Sequence, residues 1–543
     1  VRHEVQVHPH LADLPVTPPD VHCEAALAAR VLDALLREDY GGLRGHVQGD
    51  RLRLPGGPDV RLRPARFLAE HAVVPEDGLR LDTVRAAVRR LADPRDDVAA
   101  FDAECREALA TMRLHAREHD AVLAGLAGLT AAGRRGAGTY YETLAAFTGH
   151  PVYPTAQSRT GLAEEDLRRY APEFHPAFRL RWAAVPRDRV TTAGVRPHWW
   201  PSPADVGLPP GLDADLFPVH PLMSSLPRDL APVHAPEPYL DVRPTLSMRT
   251  VAVDGGTHLK LPLPTSTLGL RNRRTIAPCT LADGALMERI LRRVREREPG
   301  TRVLLADEQT YGHAGDPSLG YLVRRFPAST RSAHVVPVAA LTARAPGGGH
   351  VIEQWDVPEL FDSYLAALFG WHVLLFARYG IALEAHQQNV SLVFGDDPRD
   401  LRLLLKDNDG ALVDPGALGA ALGPGPYDFA DPRMVTRDRE ALARVFVTIT
   451  VHLCAGALAF GLAERGLLPL RTGLRMIRDR LAESLDRHDA GFLRRRSLDA
   501  DRLPTKAMLT AGTLVDKART GAADINKHYG PSAPNYLRDD TCS

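Results

Sequence analysis

The sequence predicts an α+β protein in three stretches: helical at the N-terminus, β-rich in the middle and mainly helical at the C-terminus. Three observations predict it. Apolar residues recur at three- and four-residue spacing over 25–36, 81–91 and 98–126, the period of helices with one buried face. From about 148 to 345 the chain turns to short β-like runs broken by Pro and Gly, at 247–253, 257–263, 302–305, 321–326 and 334–341, with a Pro-rich loop at 201–218. Beyond the APGGG of 345–349 the helical spacing returns at 359–379, 439–464 and 470–486. One hairpin interrupts it, 390–394 with 401–405, turned at Gly395, Asp396, Asp397 and Pro398. The domains expected are 1–145, 146–345 and 346–543, since one core rarely grows past about 250–300 residues.

Charge and cysteine usage exclude several classes. Lys+Arg and Asp+Glu both number 67, so no global basic field favours nucleic acid, and no nucleic-acid partner is expected. The five cysteines form no CxxC pair, which excludes a zinc ribbon or disulfide scaffold and suits a reducing cytosol. The N-terminal VRHEVQVHPH lacks the apolar stretch of a signal peptide. The apolar run 445–462 is long enough to raise a membrane span, but His452, Thr448 and Thr450 within it favour a buried core helix, and no membrane partner is expected. Only five basic residues are lysine (Lys260, Lys406, Lys506, Lys517 and Lys527), and a lysine that persists among so many arginines marks either chance or a site needing a compact ammonium.

Three clusters carry chemistry. In ALEAHQQN, followed by the hairpin and LLLKDNDG, Glu384, His386, Gln388 and Asn389 precede the first strand and Asp407 follows the second. A hairpin brings its open ends about 5 Å apart. Oxygens of Glu384, Asn389 and Asp407 would thus surround one point, a hard-ligand set suited to Mg²⁺ held against nucleotide phosphates. The alternative is a polar corner with an ordinary turn after Lys406. In PTLSMRTVAVDGGTHLKLPL, a two-residue Asp254–Gly255 turn would set Arg249 opposite Lys260, with Ser247 on the same face. Like charges so placed destabilise a hairpin unless an anion such as a triphosphate lies between them. The alternative is two solvated cations on an edge strand. Thr265, Ser266, Thr267, Arg271, Arg273 and Arg274 follow, a hydroxyl-and-guanidinium segment suited to carboxylate or phosphate, or else a solvated basic loop. The third cluster, TGHPVYPTAQSRTGL, places His150, Tyr153, Ser158 and Arg159 on a loop, where a histidine beside proline is often structural.

Read in order, these segments resemble the NRPS-independent siderophore synthetase family, the aerobactin-synthetase-like IucA/IucC proteins. The family's GHPxHPxxKxRxGF is met at Gly149, His150, Pro151, Pro154, Arg159 and Gly161, its PVHPWQ at Pro218–Pro221, and its S-x-R-T segment at Ser247–Thr250. KLPL carries Lys260, the RTxxP segment has Arg274 and Thr275, E-x-H-x-Q-N is Glu384, His386, Gln388 and Asn389, the RDxxG segment is Lys406–Gly410, and a late LPTKAML carries Lys506. The resemblance covers about 145–515. It implies a helical thumb, β-rich fingers and helical palm, and a cytoplasmic homodimer. It also implies ATP–Mg²⁺ chemistry in which a carboxylate, such as citrate or a derivative, attacks the α-phosphate and the acyl-adenylate is captured by an amine or hydroxyl. By resemblance Ser247, Arg249, Thr250 and Lys260 contact phosphates, Gln388 holds the nucleotide with His386, and Glu384, Asn389 and Asp407 serve the metal. His150, Arg159, Arg274 and His386 contact the carboxylate, and His386, Arg274 and Lys260 carry catalysis. Tyr153 stands in place of the second histidine of the first motif, Gln157 in place of its lysine, and Leu222–Met223 in place of Trp-Gln. These changes lower positive charge on the carboxylate side and favour a mono- or dicarboxylate, or a partly amidated citrate. A kinase-like phosphotransferase is the competing reading, since H-x-Q-N, a hairpin and D-N-D-G follow the logic of a kinase catalytic loop; however, no GxGxxG loop precedes Lys260. A catalytically silent homologue is the third.

Overall fold

The computed structural model describes residues 19–76, 78–129, 134–521 and 527–538. The N-terminal decapeptide and Cys542 lie outside them; Cys105, Cys279 and Cys454 are free thiols. The mixed α+β architecture holds, with several antiparallel sheets.

The first helix, Pro19–Arg37, packs against Val98–Ala127, whose N-terminus is capped by Asp97 accepting the Ala100 N–H at 2.9 Å. Helices Leu81–Leu91 and Val98–Ala127 match the predicted spans, because both rest on an uninterrupted apolar stripe. The helical reading of this region is corrected in one respect. A four-stranded antiparallel sheet, Val47–Gln48, Arg51–Arg53, Asp59–Pro64 and His71–Val73, separates the first two helices. Its strands alternate exposed arginine with buried Leu52, Val60 and Leu62, a period of two too short to stand out from the flanking helices.

The middle region is built on a nine-stranded antiparallel sheet. Its order is Thr191–Ala193, Asp307–His313, Gly320–Arg325, Thr257–Lys260, Thr250–Asp254, Tyr239–Pro244, Phe178–Pro186 and Ala214–Val219, with Val233–His234 pairing on Phe178–Pro186. Leu180, Phe217, Val242, Val251, Leu259 and Val323 fill a core on this sheet. A 20-residue helix, Pro278–Arg297, was not expected among these strands; its Arg- and Glu-rich outer face masks the stripe of Leu281, Met287, Ile290, Leu291 and Val294. The predicted strand 334–341 stops at Pro337 and continues as a 3₁₀ turn, Val338–Ala340.

The hairpin of Val390–Phe394 with Arg402–Leu405 forms in the expected register, Val390 facing Leu405. It joins Val303–Leu305 and His334–Pro337 in one four-stranded sheet, so the middle and C-terminal regions share a sheet directly behind the site. Helix Val357–Tyr379 starts at Asp356, which accepts the Glu359 N–H at 2.8 Å, and stops at Gly380 with φ 63°. Among the described residues two helices are long and apolar enough to cross a membrane, Val357–Tyr379 and Arg439–Glu464, and 72% and 83% of their most apolar windows are buried inside the protein. The second is the expected core helix, except that Phe446–Gly456 at its centre is π-helical.

Candidate active site

A cavity of about 480 Å³ opens between the middle and C-terminal regions. It is lined by His150, Arg159, Ser247, Arg249, Thr250, Arg274, Glu384, His386, Gln388, Asn389 and Asp407, so eleven of the twelve predicted site residues share one wall system; the twelfth, Lys260, bonds Asp407 from behind. A volume of this size suits a small-molecule site.

The hairpin carrying Arg249 and Lys260 corrects the expected register. Asp254 pairs with Thr257, the turn residues are Gly255 and Gly256, and a bulge between Ala252 and Asp254 brings Thr250, not Arg249, opposite Lys260. The S-x-R-T segment precedes the strand as a tight loop. Met248 takes φ 62°, and the Ser247 hydroxyl accepts the Thr250 N–H at 3.1 Å. Arg249 instead reaches the Thr275 carbonyl at 2.6 Å. Lys260 pairs on the neighbouring strand with Leu322, so Thr250, Lys260 and Arg324 lie on one face of the sheet, and that face looks at Asp407.

Asp407 is the hub. Its backbone is left-handed, φ 64°, just past the hairpin end where the Lys406 N–H bonds the Asn389 carbonyl at 3.2 Å. Its carboxylate bonds Lys260 and lies 3.2 Å from Arg324, while Lys260 also bonds Asp409 at 3.3 Å. Burial alone would raise the Asp407 pKa, but Lys260, Arg324 and Arg249 outweigh it and hold the carboxyl well below the ordinary range. Glu308 completes the arrangement, accepting the Asp407 N–H at 2.9 Å and pairing with Arg324. Sequence reasoning missed both Glu308 and Arg324. They belong to no motif and meet Asp407 only because strands Asp307–His313 and Gly320–Arg325 are paired far from it in sequence. Lys406 is likewise neutralised by buried Glu142 at 3.0 Å.

The histidines are neutral donors. Burial first, then the Lys506 charge, push His386 down to about 4. Its Nδ1 accepts the Gln388 N–H at 3.3 Å, which leaves the proton on Nε2. His150 is pushed down by burial and then by His386, and its Nδ1 accepts the N–H groups of Val152 and Tyr153 at 3.2 and 3.0 Å. Arg159 lines the cavity but is partly engaged, bonding the Ala156 carbonyl at 2.8 Å and Glu173 at 3.3 Å.

Arg274 is held differently from Arg159 and Arg324, which are ion-paired to Glu173 and to Glu308 and Asp407. Its Nε is buried with no hydrogen-bond partner, and it forms no ion pair among the described residues. Burial, with Arg249 and Arg159 nearby, pushes its pKa down to about 9. A guanidinium so placed is poised for an incoming anion.

For a metal, Glu384, Asn389, Asp407 and Asp409 offer hard oxygens to the cavity. The described residues hold no group of three or more His, Cys, Asp or Glu that converges on one point. Asn389 donates to the backbone carbonyl of Glu384 at 3.4 Å, and the Glu384 carboxylate crowds Gly410, where a Cβ would lie 2.3 Å from Oε2. One or two carboxylates completed by phosphate oxygens and water is the usual mode for Mg²⁺, and this donor set fits it.

Of the departures from the resembling motifs, only Gln157 lines the cavity. Tyr153 is buried with its hydroxyl on Glu104 at 2.8 Å, and Leu222 and Met223 are not in the cavity wall. His220 is fully buried against Tyr170 and Phe178.

The cavity wall carries more Arg and Lys than Asp and Glu, a charge balance that favours small anions. The sequence profile of the IucA / IucC family matches residues 139–343, and that of the ferric iron reductase FhuF-like transporter matches 358–522. The chain is 24% identical over 314 residues to staphyloferrin A synthase and 26% over 384 residues to staphyloferrin B synthase, both of Staphylococcus aureus strain NCTC 8325 / PS 47. These matches cover 51% and 61% of this chain, and the chain spans 53% and 65% of the relatives' lengths. The solved structure of ATP-bound aerobactin synthetase IucA from a hypervirulent pathotype of Klebsiella pneumoniae shares the fold, with TM-score 0.70 at 18% identity over 95% of this chain and 99% of that one. Over residues 139–343 the chain carries the IucA / IucC family domain, and it is homologous to the aerobactin and staphyloferrin synthases.

Proposed function

We propose that this protein is an ATP-dependent ligase that adenylates a carboxylate and joins it to an amine or hydroxyl, as an amide or ester, in siderophore or related natural-product biosynthesis. The observation that carries the reading is Arg274, a cation with a buried, unpartnered Nε flanked by Arg249 and Arg159. A carboxylate approaching a polyphosphate is one anion meeting another, so positioning and charge neutralisation are the protein's main catalytic resources.

In the first step a carboxylate oxygen bonds the α-phosphorus of ATP and the bond to the bridging oxygen breaks, releasing pyrophosphate. In the second the nucleophile bonds the acyl carbon, the acyl carbon–oxygen bond breaks, AMP leaves and the nucleophile's proton passes to solvent. Arg274, with the Nε2–H donors of His150 and His386, orients the carboxylate; Arg159 borders it. Arg249, Ser247 and Thr250 face the phosphates, Lys260 acts from behind by holding Asp407, and Gln388 helps hold the nucleotide. Mg²⁺ held by Asp407, Glu384 and Asn389 would neutralise phosphate charge. The ATP-bound relative and the hard-oxygen donor set support these two assignments. With Tyr153 turned onto Glu104 and Gln157 neutral in the wall, the carboxylate side favours a mono- or dicarboxylate or a partly amidated citrate over a plain tricarboxylate. The thumb, fingers and palm division, a cytoplasmic setting and a homodimer rest on the family resemblance.

The test is a pyrophosphate-release screen of carboxylates crossed with diamines, hydroxamate-bearing amines and amino acids. AMP plus pyrophosphate supports ligation, and ADP as product would replace it with phosphoryl transfer.

A further inference from the structure

We infer that Arg30 and Arg37, on the first helix and outside both matched profiles, are positioning residues that aim His150 into the carboxylate end of the cavity. The inference rests on the reading of His150 as a carboxylate contact. It goes beyond that reading by giving the N-terminal region a part in substrate affinity.

The loop Gly149–Tyr153 lies between the first helix and the cavity. The N–H groups of Val152 and Tyr153 turn to the His150 ring, and the carbonyls of His150, Val152 and Tyr153 turn to the helix. Arg30 Nη2 donates to the carbonyls of His150 and Tyr153 at 2.9 and 3.4 Å, and Arg37 Nη2 donates to the Val152 carbonyl at 2.9 Å. The Val152 carbonyl and the Tyr153 N–H belong to one peptide unit, and that N–H bonds His150 Nδ1 at 3.0 Å. A charge thus acts on one end of a peptide dipole whose other end fixes the imidazole. Hydrogen bonds in such a chain strengthen one another. With Nδ1 committed as acceptor, Nε2 must carry the proton, so the two guanidiniums set both the direction of the ring and its tautomer. Both helical arginines stand against backbone oxygens in a buried joint; Arg37 also has Glu38 at 3.7 Å. Gly149, at φ 71°, permits the bend that turns the loop toward them.

The experiment measures pyrophosphate release by wild type, Arg30→Gln, Arg37→Gln and Arg37→Lys, varying citrate and ATP separately, with succinate in place of citrate if citrate is not turned over. The expected result is a KM for the carboxylate raised about tenfold in the Gln variants, a KM for ATP unchanged within about twofold, and partial recovery in Arg37→Lys, which keeps the charge. In a His150→Ala background Arg37→Gln should add nothing further, because the ring it aims is gone. Equal rises in both KM values, or the same loss with and without His150, would overturn the inference. Should Arg37→Gln fail to fold, Arg37→Lys carries the same comparison. Wild-type protein that turns over neither acid would remove the carboxylate reading together with the inference; turnover with an unchanged carboxylate KM in the variants would remove the inference alone.

Discussion

Arg274 sets stability against activity. An unsatisfied buried donor costs about 1–3 kcal/mol, so Arg274→Met should raise the melting temperature while abolishing carboxylate-dependent pyrophosphate release. A variant that melts lower and stays active would mean that the guanidinium is a structural partner. Glu308 and Arg324 act through Asp407. Glu308→Ala should raise the KM for ATP about tenfold or more, with Glu308→Gln intermediate because it keeps an acceptor for the Asp407 N–H; kinetics at varied ATP and fixed carboxylate decide it. The histidines give a pH signature. With His386 down at about 4 and His150 below its ordinary value, both are already neutral donors at pH 6.5, so kcat/KM for the carboxylate should stay flat from pH 6.5 to 8. A falling limb centred near 6.5 would show that one of them works as a cation.

At the scale of elements, the cavity walls depend on features a sequence pattern does not display. The loop carrying Leu268 and Arg271 docks on a π-helical turn, Thr510–Leu514, through the Arg271 N–H on the Gly512 carbonyl at 3.1 Å. Gly269, at φ 105°, lies so close that a Cβ there would stand 2.7 Å from the Gly512 backbone. Gly269→Ala should therefore cost more than about 1 kcal/mol, the penalty for alanine at an incompatible φ, and lower turnover by shifting the wall; a denaturant titration and a turnover assay measure the two effects. The second π-helical segment, Phe446–Gly456, presents Ile449 and Leu453 to the same cavity. Periodicity located the long helices and the C-terminal hairpin because each buries a continuous stripe. It could not locate the bulge that shifts the Thr250–Asp254 hairpin by one residue, since the Asp-Gly-Gly sequence allows two turn placements and only the neighbouring strands choose between them. The small sheet at Val47–Val73 and helix Pro278–Arg297 escaped for a related reason: their outward faces are arginine-rich, and charge hides short or amphipathic patterns.

At the scale of the molecule, the site residues legible in sequence were those in dense polar motifs, and the cavity gathers nearly all of them. What remained hidden were the counter-ions Glu142 and Glu308 and the carbonyl-bound Arg30 and Arg37, because a partner 99 to 264 residues away leaves no local mark. Burial also fixes the acid response. His220, His258 and His372 are pushed down to about 3, and His386 and His452 to about 4, all chiefly by burial. Each binds a proton in the unfolded chain near pH 6.5 but not in the folded one, so stability falls as pH drops from 6.5 toward 4. Asp33, raised by burial to about 6, and Glu38 and Glu104, also raised, oppose this but are fewer. The melting temperature should be lower at pH 5 than at pH 7.5; an equal or higher value would mean the histidines are not held neutral.

The central claim is that one cationic cavity lets a carboxylate reach the α-phosphate of ATP. Exchange of labelled pyrophosphate into ATP, measured with carboxylate present and no amine, tests it most directly. Carboxylate-dependent exchange in the wild type that vanishes in Arg274→Ala is the predicted result; label that fails to enter ATP with any carboxylate, or exchange that persists without Arg274, would contradict it.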